Sequence, residues 1–218
     1  MSRRTAWQCA SLLLDYPDEG LAGRLPAIRS AAATLPDRMS VPLSRFVDHL
    51  VDSDLAEAQA AYVDTFDDRR RCNLFLTYFA HGDTRKRGMA LLRFKQAYLA
   101  AGAVPVDSEL PDHLSVVLEF AATVDPDVGG QLLEDHRAGL EVLRLSLREL
   151  GSPYAAVLEA VCATLSPLRG DEWEAVRRLA AEGPPEEEVG LTPYATPGFD
   201  AVLTDRRVDL PMPTVRGA

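Results

Sequence analysis

Apolar residues recur at the spacing of an α-helix along most of this chain, and that spacing constrains the fold more than any other feature. Leu114, Val117, Leu118, Ala121 and Val124 follow an i, i+3, i+4, i+7, i+10 pattern, which predicts one core-facing helical stripe. A strand would alternate apolar and polar residues, and no sustained run of that kind is bounded by turn residues. The sequence therefore predicts an all-α fold, a single globular helical bundle.

Prolines, glycines and capping residues divide this pattern into helices. Pro26 is expected to split one helical region or to begin a helix, and Pro42 is expected in a first helical turn. Asp54 is placed to cap the next helix, and Gly102 to close a later one. Residues 132–150 predict one long helix, because no proline interrupts their apolar spacing.

Two predicted helix starts lie in the middle of the chain. The first follows a break at His81-Gly82, with Asp83 or Thr84 as its cap. Its inward side chains are expected to be Met89, Leu92, Phe94 and Tyr98. At the second start, Pro111 suits a first turn, and Asp112 lies where the helix dipole favours negative charge.

The composition changes at Gly183. Residues 183–218 hold six of the 15 prolines and show no sustained apolar period, which is typical of extended or disordered chain. The sequence predicts a helical domain over residues 1–182 and a tail over 183–218. The first residues lack the long apolar stretch of an export signal, so a cytoplasmic location without membrane insertion is expected.

Charge is unevenly distributed along the chain. The net charge is −10, yet residues 67–96 carry eight basic and three acidic side chains. The rest of the chain therefore has a net charge of −15, which would repel a phosphate backbone. Binding of nucleic acid is not expected, and ion pairing with the acidic surroundings is the simpler interpretation of the basic residues.

Motifs of enzymes and metal sites are missing from the sequence. Cys9, Cys72 and Cys162 are too far apart for a CxxC pair, and there is neither a nucleophile elbow nor a phosphate-binding loop. Glu109, Asp112 and His113 could in principle hold a metal, but helix capping explains them better. We predict no catalytic residues, no metal and no cofactor.

A surface that binds another protein is the remaining interpretation. Phe75, Tyr78 and Phe79, with the basic side chains of residues 85–95 around them, could form a groove for an amphipathic helix. The alternative is that each of these aromatic side chains belongs to the core.

Several stretches resemble the NarJ family, assembly chaperones of respiratory nitrate reductase within the wider TorD/DmsD class. The most specific is residues 81–91, His-Gly-Asp-Thr-Arg-Lys-Arg-Gly-Met-Ala-Leu. Residues 109–113 match an E-x-P-D-H segment that is shared by the wider class. Further matches are at residues 62–67, 70–72, 76–78, 93–95, 118–120, 152–154 and 157–162.

The resemblance implies a system-specific, non-enzymatic chaperone with an all-helical fold. Such a protein binds the apo catalytic (alpha) subunit of nitrate reductase, chiefly its N-terminal segment, and holds it competent for molybdenum cofactor insertion and membrane docking. The cofactor-delivery machinery would be a second partner. We predict the following client-binding residues: Tyr78, His81, Asp83, Arg85, Arg87, Glu109, Asp112 and His113. The alternative function is a direct carrier of the molybdenum cofactor or of a guanine nucleotide.

Overall fold

The structure is a computed structural model that describes residues 2–67, 69–104 and 109–185. Within these residues the chain forms eleven α-helices and no named strand, so the predicted all-α fold is confirmed. In chain order the helices are α1 (Ser2–Leu14), α2 (Leu21–Ala32), α3 (Asp37–Asp52), α4 (Leu55–Phe66), α5 (Leu76–His81), α6 (Arg85–Ala100), α7 (Leu114–Thr123), α8 (Pro126–Asp135), α9 (Arg137–Glu149), α10 (Ala155–Cys162) and α11 (Gly170–Glu182). Residues Arg70–Cys72 add one 3-10 turn.

Capping residues set several helix ends as the sequence predicts. Asp54 accepts a hydrogen bond from the Glu57 N–H at 2.8 Å, and the Glu57 carboxylate accepts one from the Asp54 N–H, which together form a capping box at α4. Gly102 follows α6 with a φ of +78°, a conformation that glycine adopts without the strain a side chain would bring. These predictions are confirmed.

The core is built around α1, which packs against α7, α10, α2 and α3. Trp7 on α1 is buried, and its indole Nε1 donates to Thr164 Oγ1 at 2.9 Å. The hydrogen bond satisfies the single polar atom of this large side chain, which would otherwise oppose its burial. Leu114, Val117, Leu118 and Ala121 on α7 are fully buried as predicted. Val124 is 44% exposed, contrary to prediction, because α7 ends at Thr123.

Glycines allow α8 to approach its neighbours closely. A Cβ atom at Gly129 would lie 2.4 Å from Ala121 Cβ on α7, and one at Gly130 would lie 3.3 Å from the Trp7 ring. The first distance is too short for any real side chain, so residue 129 has to be glycine for α8 to keep this position against α7.

Several predicted helix boundaries are wrong, and one of them is the start of α7, which begins at Leu114 rather than at Pro111. Pro26 lies inside α2 and Pro42 inside α3, each five residues after the helix begins. Each proline removes one helical N–H bond, and burial of the apolar faces of these helices offsets that loss. The predicted long helix at 132–150 is broken at His136, whose ring Nδ1 donates to the Leu132 carbonyl at 2.8 Å.

Residues Met1–Glu186 form one compact unit. The predicted boundary between residues 182 and 183 stays a prediction, and residues 186–218 of the predicted tail lie outside the described residues. In the described part of the chain, no helix has both the length and the apolar character needed to cross a membrane.

Candidate functional site

An isolated bridge joins the two stretches that contain the predicted site residues. Phe75 pairs with His113 in antiparallel orientation. The Leu76 N–H donates to the Asp112 carbonyl at 3.0 Å, and the Leu114 N–H donates to the Leu74 carbonyl at 2.8 Å. The start of α5 and the start of α7 are thereby fixed side by side, although they lie 38 positions apart in the sequence. We call this contact the α5–α7 junction.

Asp112 is fully buried at the α5–α7 junction. Its Oδ2 accepts the Thr77 N–H at 3.1 Å and the Thr77 hydroxyl at 2.5 Å. Thr77 is the second residue of α5, so the carboxylate caps α5 and satisfies one of its free N–H groups. The sequence places Asp112 inside the next helix, but α7 begins only at Leu114. Capping is therefore confirmed for Asp112 alone, at a different helix from the predicted one, and His113 precedes α7 without a capping bond from its side chain.

Arg87 on α6 completes the α5–α7 junction. Its guanidinium donates to Asp83 Oδ1 at 3.0 Å and to Thr77 Oγ1 at 3.2 Å, and it lies 3.8 Å from Asp112 Oδ2. It also lies over the Phe75 ring, 5.1 Å from the centroid. With 15% of its side chain exposed, Arg87 holds α6 to the start of α5 and contributes little open surface.

The other predicted residues divide into buried and exposed groups. Tyr78 and His113 are buried, His81 is half-buried, and Asp83, Arg85 and Glu109 are exposed. The His113 Nδ1 lies 2.8 Å from Ser115 Oγ. Burial lowers the pKa of His113, although the carboxylates of Glu109, Asp112 and Asp15 oppose that shift. A role of all eight residues in client binding stays a prediction.

The predicted aromatic surface is mostly core. Tyr78 and Phe79 are buried and Phe75 is half-buried, in agreement with the alternative interpretation of these side chains. Phe79 packs closely on α9, where a Cβ atom at Gly139 would lie 2.9 Å from Phe79 Cβ.

Exposed apolar side chains lie on α6 instead. Met89, Leu92 and Leu99 are 67%, 44% and 58% exposed, so the prediction that Met89 and Leu92 face inward is wrong. The helix buries Phe94 and Tyr98 on one side, and the three exposed residues share the opposite side with basic neighbours. We call this surface the α6 outer face: Lys86, Met89, Leu92, Arg93, Lys95 and Leu99.

An open groove of about 420 Å³ lies between α1, α7 and the end of α6. We call it the α1–α7 groove. Its apolar lining includes Leu12, Val104, Val116, Phe120 and Val124. The sequence analysis missed this groove. The available signal was Val116, an apolar residue of α7 that lies off the buried stripe and is half-buried.

The α5–α7 junction supports the walls of the α1–α7 groove. The Tyr98 hydroxyl donates to the Pro111 carbonyl at 2.6 Å, and the Tyr98 ring packs 4.5 Å from that of Phe120. Ser115, the hydrogen-bond partner of His113, also accepts the Ser11 hydroxyl through its carbonyl at 2.8 Å. Glu109 itself lines the groove. The E-x-P-D-H stretch thus contributes one rim residue and several supporting contacts.

Comparison with known proteins shows similarity over most of the helical part of the chain. The sequence model of the nitrate reductase delta subunit family matches residues 29–160. The nitrate reductase-like protein NarX of Mycobacterium tuberculosis is 46% identical over 162 residues, which are 72% of this chain and 24% of NarX. The chain thus spans about a quarter of the length of NarX.

Two NarJ proteins match along more of their own length. The nitrate reductase molybdenum cofactor assembly chaperone NarJ of Escherichia coli K12 is 32% identical over 68% of this chain and 64% of its own. NarJ of Bacillus subtilis is 30% identical over 75% of this chain and 89% of its own. A crystal structure described as a candidate redox enzyme maturation protein from Archaeoglobus fulgidus matches with a TM-score of 0.56 and 27% identity. It covers 73% of this chain and 91% of that chain.

Proposed function

The chain belongs to the nitrate reductase delta subunit family, and from this premise we propose that it is an assembly chaperone of a respiratory nitrate reductase. Its client is the apo form of the catalytic subunit, which it binds chiefly through the N-terminal segment. It holds that subunit competent for molybdenum cofactor insertion and membrane docking, acts in the cytoplasm, and catalyses no reaction itself. The description of Escherichia coli NarJ as an assembly chaperone supports this role.

The observation that carries the proposal is the α1–α7 groove. It has an apolar lining at Leu12, Val104 and Val116, and Val104 is 81% exposed. Exposed apolar surface with a polar rim is typical of a protein-binding site, and a volume near 420 Å³ accepts several side chains of a peptide. Helical domains commonly bind one apolar face of a peptide helix in such a groove.

Release of the client follows from differential affinity. A chaperone that binds an exposed segment of the apo subunit binds less tightly once that segment is folded into the mature enzyme. Cofactor insertion that orders the client would therefore shift the equilibrium away from the complex. No covalent step is needed, which agrees with a non-enzymatic role.

The alternative function, a carrier of cofactor or nucleotide, has less support. Phosphate groups are bound by cations that converge on one point. Arg87, the basic residue at the centre of the predicted site, is already bonded to Asp83 and Thr77. Equilibrium dialysis with labelled guanine nucleotide would test the carrier directly.

Isothermal titration calorimetry tests the chaperone proposal. The titrant is a peptide of the first ~20 residues of the catalytic subunit from the same organism, a length that spans several helical turns. We expect saturable one-to-one binding, which is lost when the apolar face of the peptide is replaced by polar residues. A folded chain that binds neither this peptide nor the apo catalytic subunit would contradict the proposal.

A further inference from the structure

We infer that the α1–α7 groove binds a cationic segment of its client, one that presents apolar side chains to the groove and Lys or Arg side chains to its rim. The inference rests on the proposed function and adds the chemistry of the bound segment.

Three carboxylates surround the apolar lining. Asp15 follows α1, Glu109 precedes α7, and Glu119 lies on α7. All three are exposed, and they approach the groove from three different segments. Among the described residues that line the groove, none is Lys, Arg or His. Positive charge on a bound segment would therefore meet attraction on several sides and repulsion from none of these side chains.

Among the described residues, Asp15, Glu109 and Glu119 have no cation of their own. The ion pairs within the described part of the chain join other residues, and the one N–H that Asp15 accepts there is that of the adjacent Tyr16, at 3.1 Å. Arg4 lies beside the end of α7, but its guanidinium donates to the carbonyls of Ala122 at 2.7 Å and Thr123 at 3.5 Å. The Arg4 guanidinium thus binds the carbonyl groups at the C-terminal end of α7. The groove carboxylates therefore stay available to a positively charged partner.

The net charge of the chain acts in the same direction. At −10, the protein attracts cationic segments over distances of about one Debye length, and the acidic groove then orients them. The α6 outer face has the opposite character, because its exposed Met89, Leu92 and Leu99 are flanked by basic residues. A cationic segment is repelled there, so charge favours the α1–α7 groove over the α6 outer face as its binding site.

The test compares two sets of neutralised carboxylates in the full chain. The groove variant is Asp15→Asn/Glu109→Gln/Glu119→Gln, and the matched control is Glu19→Gln/Asp52→Asn/Glu174→Gln, three exposed carboxylates that do not line the groove. Titration with the ~20-residue N-terminal peptide is expected to give a Kd raised about tenfold or more for the groove variant. The salt dependence of its Kd is expected to be weaker. The control keeps the wild-type Kd, and circular dichroism confirms that all variants are folded.

A second arm changes the peptide. Replacing its Lys and Arg residues with Gln should weaken binding to the wild-type chain but have little further effect on the groove variant, since each change removes the same interactions. If the natural N-terminal segment contains no basic residues, or if the groove variant keeps the wild-type Kd, the inference is wrong and the proposed chaperone function is unaffected.

The inference is also wrong if binding is lost only in the variant Lys86→Glu/Arg93→Glu/Lys95→Glu, because that result would place the peptide on the α6 outer face. Failure of the wild-type chain to bind either the peptide or the apo catalytic subunit contradicts the proposed function itself.

Discussion

Asp112 is the residue on which the α5–α7 junction depends. A carboxylate with no exposed surface is costly to bury unless hydrogen bonds and a cation compensate. Thr77 supplies two hydrogen bonds and Arg87 supplies the cation. The compensation is incomplete, since Asp112 Oδ1 and one guanidinium nitrogen of Arg87 have no hydrogen-bond partner among the described residues. Removing either side chain would leave the charge of the other inside the protein.

Substitution of Asp112 tests this role. We expect Asp112→Ala to lower the free energy of unfolding by about 3–5 kcal/mol, because it leaves Arg87 without its buried partner and α5 without a cap. Asp112→Asn retains an acceptor for Thr77 and should cost about 1–3 kcal/mol. Urea denaturation measures both. Glu109→Gln, at an exposed position three residues earlier, should stay within about 0.5 kcal/mol of the wild type, and an equal loss there would contradict the assignment.

Buried His113 and half-buried His136 make stability depend on pH. Burial lowers the pKa of both His113 and His136 from the ordinary value, so each binds its proton more weakly in the folded state than in the unfolded chain. The stability that the two neutral imidazoles contribute is fully present above the unfolded pKa of about 6.5. As pH falls through 6.5 towards the folded pKa values, the unfolded state binds more protons and stability declines by at most about 1.4 kcal/mol per pH unit for each histidine.

Urea denaturation at pH 7.5 and 5.5 should therefore give a lower free energy of unfolding at the acidic pH. A His113→Asn/His136→Asn double variant is expected to show a smaller difference between the two values, since Asn does not titrate. His49→Asn, at an exposed position on α3, is the control and should keep the wild-type difference. If the double variant also keeps the wild-type difference between the two pH values, the two histidines do not cause the pH dependence of stability.

At the scale of elements, α6 has apolar residues on two opposite sides. Phe94 and Tyr98 anchor one side in the core, and Arg87 holds the N-terminal half to α5. The other side leaves Met89, Leu92 and Leu99 in solvent. A hydrophobic pattern of this kind gives a weak amphipathic signal, because the two apolar stripes point in opposite directions. Sequence periodicity therefore could not show which stripe is covered.

The close approach of α8 to α7 gives a prediction with an internal control. Gly129→Ala places a methyl group 2.4 Å from Ala121 Cβ, so α8 has to move and we expect a loss of about 1–3 kcal/mol. Gly23→Ala, on α2, meets no atom within 4 Å and should be neutral or stabilising by up to about 1 kcal/mol. Thermal unfolding of the two variants measures the contrast. A Gly129→Ala protein as stable as Gly23→Ala would show that the contact can relax.

At the scale of the whole molecule, one helical unit presents two exposed apolar surfaces of opposite charge. The α1–α7 groove is ringed by Asp15, Glu109 and Glu119, and the α6 outer face carries three of the eight basic residues found at 67–96, namely Lys86, Arg93 and Lys95. The α5–α7 junction lies between the elements that form them, since it fixes α6 through Arg87 and α7 through His113. A change at the junction is therefore expected to affect both surfaces.

The candidate site was predicted in part. The two stretches that meet at the α5–α7 junction, 75–87 and 109–113, are those that the sequence singles out. The partners within it were not predicted, because the bond from Thr77 to Asp112 spans 35 residues and no local pattern encodes it. The groove was missed for the same reason, as its lining comes from α1, α7 and the residues after α6.

The sequence by itself determined the all-α class, the cap at Asp54 and the glycine end of α6 at Gly102. These features follow from hydrogen bonds and backbone conformations within a few residues of each other. Only the tertiary structure decided that α2 continues through Pro26, that the chain breaks at His136, and that Met89 faces solvent. Local spacing shows which residues can share a face, but whether that face is covered depends on segments far away in the sequence.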